Sequence, residues 1–370
     1  MNSLHSYYPI LPAKRGEFKA YKNLTNHIRN HIMPIFELPV GDSDISTLNF
    51  VNKKLNSLTK FILSTENHNL AIDTYYYSIN NQILENGRHI YEYIYSELRQ
   101  SKLNVIPIIG YDRWYNSIDP TYKNTISVID FSEAPYFIIR LDGEALDHLD
   151  EPDFFKEQID NILNGLKIES INCLFLIDFK SIAKKSLPTI LEKAYQAVEV
   201  LEEIENLGIS ISGCSIPETI NQAIDTPDTS GLFLRKENLV WKSLKKDFSN
   251  INLKYSDYGV KAPSGKESIP AGNNANGKIR YTTDNNYFIA RGHAIGQERN
   301  FSQMHLLAKE IVDSIYFEDN QDCWADVQIK KCSLKEITSG NHETWITIDT
   351  NHHLTYIVEE IVLPSKIQTF

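Results

Sequence analysis

The stretch Tyr7–Ala20, "YYPILPAKRGEFKA", runs from an apolar segment straight into Lys14, Arg15 and Glu17. The apolar part reads as a buried strand, and charge at the end of a buried strand must be met by water, a ligand or partners. In a parallel α/β barrel the carboxyl ends of all strands share one rim, where solvent and ligands reach the fold. The stretch therefore predicts a strand that opens onto such a rim.

The same pattern recurs along the chain, in "IMPIFELP" from Ile32, "NLAIDT" from Asn69, "NVIPIIG" from Asn104, "YFIIRLDG" from Tyr136, "CLFLIDF" from Cys173, "GISISGC" from Gly208 and "NLKYSDYG" from Asn252. With the first stretch these make eight strand candidates, separated by segments of helical periodicity long enough for parallel crossovers. "ILENGRHIYEYIYSELRQS", "PDFFKEQIDNILNGLKI" and "LPTILEKAYQAVEVLEEIENLG" read as helices, the last with Gly208 as its C-cap. Residues 1–262 are thus expected to form an α/β (β/α)8 TIM-type barrel. The alternative is an open doubly wound sheet, disfavoured because no glycine-rich phosphate fingerprint follows the first strand.

Residues 263–277, inside "KAPSGKESIPAGNNANGK", have the Gly, Asn and Ser content of a loop. Residues 278–370 lose the βα rhythm and are expected to form a C-terminal α+β appendage packed on the barrel, since "YFIA" and "LLAKEIV" carry apolar faces that need cover. There "KIRYTTDNNYFIARG" reads as a hairpin and "NFSQMHLLAKEIVDSIYF" as a helix. "CWADVQIKKC" reads as a strand and "ETWITIDTNHHLTYIVEEIV" as strand or helix.

A chain of 370 residues, 42% hydrophobic and 23% charged, has ample material for one large domain and an appendage. The 37 Lys and Arg against 48 Asp and Glu give a net charge of -11, which opposes non-specific binding to nucleic acid or anionic lipid. Cys173, Cys214, Cys323 and Cys332 include no C-x-x-C pair, so neither a zinc site nor a disulfide framework is indicated. With no basic leader and no membrane-length apolar run, the protein reads as cytoplasmic.

The blocks "YYPILPAKRGEFKAYKNL", "IMPIFELP", "LRKENLVW", "KYSDYG", "KIRYTTDNNYFIARG" and "TWITIDTNHHL" resemble the beta protein family of phages, prophages and bacteria. The best anchors are Pro9 with Gly16 and Glu17, Tyr258-Gly259 after Asp257, and His352-His353. The resemblance implies a phage or mobile-element origin and a setting of phage-host conflict or phage defence. It implies no particular reaction.

The chemistry is then sought at the strand ends. Glu37, Asp73, Asp178 and Asp257 are the candidate catalytic carboxylates, and Lys14, Arg15, Glu17, Arg140, Asp142 and Lys180 are candidate substrate-binding residues on the same rim. Single acids after strands are often helix N-caps, and Arg-Asp pairs are often structural. Glu37 and Arg140, however, sit inside the apolar runs "PIFELP" and "FIIRLD", where burial demands a partner. Carboxylates so grouped can hold Mg2+ or Mn2+ for phosphoryl chemistry or act as an acid-base pair, and the neighbouring cations favour a phosphate-bearing substrate. Arg280 and Tyr281 on the hairpin are candidates to cover the site. Tyr75, Tyr76 and Tyr77, with Tyr111, Trp114 and Tyr115, could form a stacking wall, although 20 tyrosines make chance clustering a fair alternative. His352 and His353, if on a strand, point to opposite faces, one packed and one exposed. Trp241, Trp324 and Trp345 are assigned to packing.

Two functions from different classes follow. One is a metal-assisted hydrolase of a phosphorylated or nucleotide-like small molecule. The other is a non-catalytic protein that binds a partner through its polar rim.

Overall fold

The computed structural model describes residues 4–42, 44–77, 82–266, 275–297 and 301–362. Residues 267–274 of the expected 263–277 loop lie outside them.

The strands are β1 (Ile10–Pro12), β2 (Ile35–Glu37), β3 (Asn69–Asp73), β4 (Asn104–Ile106), β5 (Ile108–Gly110), β6 (Phe137–Leu141), β7 (Cys173–Ser181), β8 (Gly208–Cys214), β9 (Thr229–Leu234), β10 (Leu253–Tyr255), β11 (Asn276–Thr282) and β12 (Asn286–Ala294). The helices are α1 (Arg15–Lys22), α2 (Asn26–Arg29), α3 (Thr47–Ile62), α4 (Ile90–Gln100), α5 (Tyr111–Trp114), α6 (Thr121–Ile126), α7 (Glu144–Asp147), α8 (Pro152–Leu166), α9 (Leu187–Glu202), α10 (Lys236–Asp247), α11 (Met304–Val312), α12 (Trp324–Ser333) and α13 (His342–Val362). The chain is thus a mixed α/β protein.

Eight expected strand regions are present, and they pair in parallel as two sheets, β1-β2-β3-β4 and β10-β8-β7-β6-β5. The "NVIPIIG" run is split into β4 and β5 by Pro107, which has no N–H to give the ladder. The two halves face different neighbours: Ala71 of β3 pairs with Ile106, and Ile108 pairs with Ile138 of β6. At the other end of the sheets, Tyr8 N donates to Tyr255 O (2.9 Å) and Ile10 N to Asp257 O (2.8 Å), linking β1 to the β10 segment.

Strand parity sorts the side chains into two cores. Leu11, Phe36, Ile72, Ile109, Ile139, Phe175, Ile177 and Ile211 join the helices in one apolar cluster. The alternate residues Tyr8, Ile10, Ile35, Ala71, Ile106, Ile108, Ile138, Leu174 and Leu176, drawn from both sheets, form a second. Both strand faces are therefore buried, which is why the runs read as continuously apolar.

The helices start and stop for local reasons. Pro152 and Pro188 stand at the first turns of α8 and α9, where a missing N–H costs nothing, and Ser186 Oγ caps α9 by accepting from Thr189 N. α8 ends at Lys167 in the left-handed conformation, φ 56°. α9 ends at Glu202, so Gly208 is not its C-cap; that residue opens β8, where a Cβ would meet Asn252 O at 2.8 Å.

β9 went unrecognised in the sequence. "TSGLFL" pairs antiparallel with β12, which pairs with β11, giving a three-stranded sheet, order β11-β12-β9. The expected hairpin in "KIRYTTDNNYFIARG" is present, with its turn at Thr283–Asn285 and Asn286 already in β12. "CWADVQIKKC" is a helix, α12, and not a strand, because its buried residues Ala325, Asp326, Ile329 and Cys332 follow helical spacing. His352 and His353 lie on helix α13, and both are buried. α13 packs on α1, where Thr347 Oγ1 donates to Gly16 O and Asn351 Nδ2 to Ala20 O, and its Leu354, Ile357 and Val358 enter the first core.

Candidate functional site at the strand ends

The interior parity of the strands does not stop where the apolar residues stop. Ile35 is followed two residues on by Glu37, Ala71 by Asp73, Ile138 by Arg140 and, two further, by Asp142, and Leu176 by Asp178. Side chains two apart on a strand share a face, so the second core is closed at its C-terminal end by a layer of charge.

Arg140 is the centre of that layer and is fully buried. Its Nη1 lies 2.8 Å from Glu37 Oε1 and donates to Asp73 Oδ2 at 2.6 Å. Its Nε and Nη2 donate to Asp178 Oδ2 at 3.0 and 2.5 Å. Nη2 also donates to Tyr258 Oη at 2.8 Å, and that hydroxyl donates to Asp178 Oδ2 at 2.7 Å. The other oxygen of Asp73 accepts from Arg113 Nη1 at 2.6 Å. Burial raises the Asp73 carboxyl, but Arg113 and Arg140 outweigh it and hold the group below its ordinary value. For Glu37 burial wins against Arg140, and the carboxyl is pushed up. Three carboxylates and two guanidiniums leave a formal charge of -1, so the layer is nearly balanced within itself.

Tyr75 and Tyr76 cover this layer. Arg140 lies beneath the Tyr75 ring, 4.6 Å from its centroid, and Tyr76 Oη donates to Glu37 Oε2 at 3.2 Å. The segment through Gly265 crosses against Tyr76 and joins Val40 through a bridge with Lys266. Of the six aromatic residues read as a stacking wall, Tyr75 and Tyr76 lie on the cluster, Tyr75 over the cations and Tyr76 against the Glu37 carboxylate.

At the edge of the cover is a second group. Lys180 Nζ lies 2.6 Å from Asp142 Oδ2 and meets the Tyr75 hydroxyl. Asp112 stands beside Asp142, and its carboxyl is raised to about 7 by burial and by the Asp142 charge, with Lys180 opposing. Burial lowers the Lys180 ammonium and Asp142 raises it, for a net rise. The Oδ1 of Asp112 is buried without a hydrogen-bond partner.

The structure thus brings together Glu37, Asp73, Arg140 and Asp178, with Asp142 and Lys180 adjoining. The other candidates go elsewhere. Asp257 accepts from Tyr7 Oη at 2.6 Å and pairs with His353 Nε2 at 2.8 Å, while His353 Nδ1 meets Thr282 Oγ1 at 2.8 Å. Lys14 Nζ donates to Lys266 O, and buried Glu17 meets Lys261 at 3.5 Å. Arg15 is largely exposed and pairs with Glu343 at 3.4 Å. Arg280 donates through Nε to Val260 O and lies 3.4 Å from Asp349, so it touches the rim segment after β10. Tyr281 stacks on His352 at 3.7 Å, directed into the C-terminal helices.

Sequence reasoning missed Arg113, Asp112 and Tyr258 as site residues. The first two follow the Gly110 strand end in "YDRWY", and only the rule that residues just past a barrel strand reach the rim could have flagged them. Among the described residues, the strand-end carboxylates do not bring three ligand atoms within 4.8 Å of one another; one group that does is Cys323, Asp326 and His352. Arg140 occupies the place between the acids where a divalent cation was expected.

This is an α/β protein with a guanidinium-centred carboxylate layer at the C-terminal ends of parallel strands. The family model described as Beta protein matches residues 7–359, and the chain belongs to that family. No curated protein matches the chain. No helix among the described residues is long and apolar enough to cross a membrane.

Proposed function

We propose that the two parallel sheets form one closed (β/α)8 barrel, and that the protein acts at its C-terminal mouth as a hydrolase of a phosphorylated or nucleotide-like small molecule. Support for closure comes from the hydrogen bonds between β1 and the β10 segment, the shared run through Pro107, and a second core drawn from both sheets. In such a barrel the charged layer lies where barrel enzymes carry their chemistry.

The observation that carries the reading is the group at the edge of the cover, where Lys180 pairs with Asp142 and the Oδ1 of Asp112, unpartnered among the described residues, is buried beside them, its carboxyl raised by burial and by the Asp142 charge. A group poised there can both give and take a proton at neutral pH, as general acid-base chemistry requires. Lys180 offers charge to an anionic group, and Asp142 is the carboxylate that would hold Mg2+ or Mn2+, which commonly takes one or two carboxylates and completes its shell with substrate phosphate and water, leaving Asp112 to handle the proton. The Arg140 layer below serves as the rigid floor.

The test is a thermal-shift screen of nucleotides and phosphorylated compounds with and without Mg2+, followed by turnover assays on any that bind. The expected result is a ligand whose stabilisation is lost in Asp112→Asn and Lys180→Met, with a pH-rate inflection near 7 that Asp112→Asn removes. Binding and turnover unaffected by both variants would reject the assignment.

The second reading, a protein that binds a macromolecular partner in phage-host conflict, is favoured by one observation. The Arg140 layer is paired largely within itself and lies beneath Tyr75 and Tyr76, with only Glu37 Oε1 and Arg113 Nη2 of the layer lacking a hydrogen bond among the described residues. A partner whose binding survives Asp112→Asn, with no small-molecule stabilisation, would establish that reading.

A further inference from the structure

Away from the strand ends, the C-terminal helices hold a group of side chains that the reading above does not use. Cys323 is the N-cap residue of α12 and Asp326 lies in its first turn, so the i, i+3 spacing puts both on one face of the helix start. α13 brings His352 against them. One ligand atom from each of the three lies within 4.8 Å of the other two, and all three residues are buried.

We propose that Cys323, Asp326 and His352 form a zinc site that fastens α12 to α13. Thiolate, imidazole and carboxylate are the donor types zinc takes, and their charges suit it. A thiolate, a carboxylate and a neutral imidazole cancel Zn2+, so the filled site buries no net charge. Filling it releases the thiol proton and the proton held between His352 Nδ1 and Asp326 Oδ1, now 2.8 Å apart. Ligand atoms about 2.0 to 2.3 Å from a tetrahedral zinc lie roughly 3.3 to 3.8 Å from one another, so that pair opens by about half an ångström.

The surroundings already orient each ligand, as they do around metal centres. His352 Nε2 is 2.9 Å from the Thr282 carbonyl, the contact that fixes a tautomer with Nδ1 free for metal. Asp326 Oδ2 is held by Tyr281 Oη at 3.1 Å and by Asn320 N at 3.2 Å, leaving Oδ1 to face the imidazole. Tyr281 covers the ring, and its phenol oxygen lies against Asp326 Oδ2 as a further oxygen beside the site. Access is short, because Glu318, Asp319, Gln321 and Asp322 beside the site are exposed. The metal-free alternative is a buried His-Asp ion pair with the Cys323 side chain in hydrogen-bond contact with the imidazole, and the metal readouts below separate the two.

The experiment uses the full chain. Metal content after purification without chelator is expected to be one zinc per chain. The Co2+-loaded protein is expected to show a thiolate-to-cobalt charge-transfer band. Cys323→Ser and His352→Gln should lose both signals, and Cys332→Ser, which alters a thiol set against Met304 O and His305 Nδ1, should keep them. Should the variants fail to fold, the wild type alone decides: chelation should lower Tm and Zn2+ should restore it. No cobalt band and no response of Tm to chelator or zinc would overturn the site, as would a band that persists in Cys323→Ser.

Discussion

Asp178→Asn tests whether the Arg140 layer is a structural floor. In the wild type, Asp178 Oδ2 accepts two bonds from Arg140 and one from Tyr258, and Oδ1 accepts from Lys180 N at 2.9 Å. A hydrogen bond to a charged group contributes about 1.5 to 3 kcal/mol and a neutral one about 0.5 to 1.5, so making the acceptor neutral costs roughly 1 kcal/mol for each Arg140 bond. The amide then has one acceptor for two donor-facing directions. If its oxygen faces Arg140, its NH2 meets the Lys180 N–H, and the stranded donor costs a further 1 kcal/mol or more. A loss of about 3 kcal/mol results. Arg140 keeps Glu37 and Asp73, and the layer goes from a formal -1 to neutral, which limits the damage. For a chain of 370 residues the unfolding entropy near Tm is about 0.8 kcal/mol per kelvin, so Tm should fall by about 4 °C if unfolding is two-state. Differential scanning calorimetry reads this directly. An unchanged or raised Tm would mean that the layer is a strained site of repelling carboxylates, and the floor described above would be wrong.

Tyr258→Phe removes the hydroxyl shared by Arg140 and Asp178 and should cost about 1 to 2 kcal/mol; combined with Asp178→Asn the losses should be less than additive, because both act on one network. Asp349 is raised to about 7 by burial, with Arg280 opposing. The folded protein then holds a proton that the unfolded chain releases near pH 4, so the Asp349 contribution to stability should fall as pH rises from about 4 to 7 and level off above, by an amount on the order of 4 kcal/mol. Asp349→Asn should flatten that slope in Tm measured across pH 4 to 8, and an unchanged slope would refute the assignment.

The parallel core and most of the charged layer were legible because strand geometry is periodic. Once "IFE", "AID", "IIRLD" and "LID" are strands, Glu37, Asp73, Arg140, Asp142 and Asp178 must continue the face set by the apolar residues before them. Arg113 and Asp112 were hidden because a short helix, not a strand, carries them. Asp257 was assigned to the same group because its strand end fits the pattern, yet its position is decided by His353, 96 residues away in sequence.

The reading of α12 as a strand, and the strand-or-helix ambiguity of α13, have a related cause. Helical periodicity is found by looking for apolar residues at the spacing of one face, but the inward face of α12 carries Asp326 beside Ala325, Ile329 and Cys332. In α13 that role is taken by Asp349, Asn351, His352 and His353, all buried. Each polar residue at a core position breaks the apolar stripe, leaving alternations such as Val327 and Ile329 that imitate a strand. A fold tolerates such residues only when partners meet them, and the partners lie on other elements: Tyr281 and Thr282 on β11, Arg280 beside them, Asp257 after β10. Local reading and global fold disagree where a sequence serves something besides packing. Here the disagreement falls on the residues that make up the proposed zinc site and the Asp257-His353 pair.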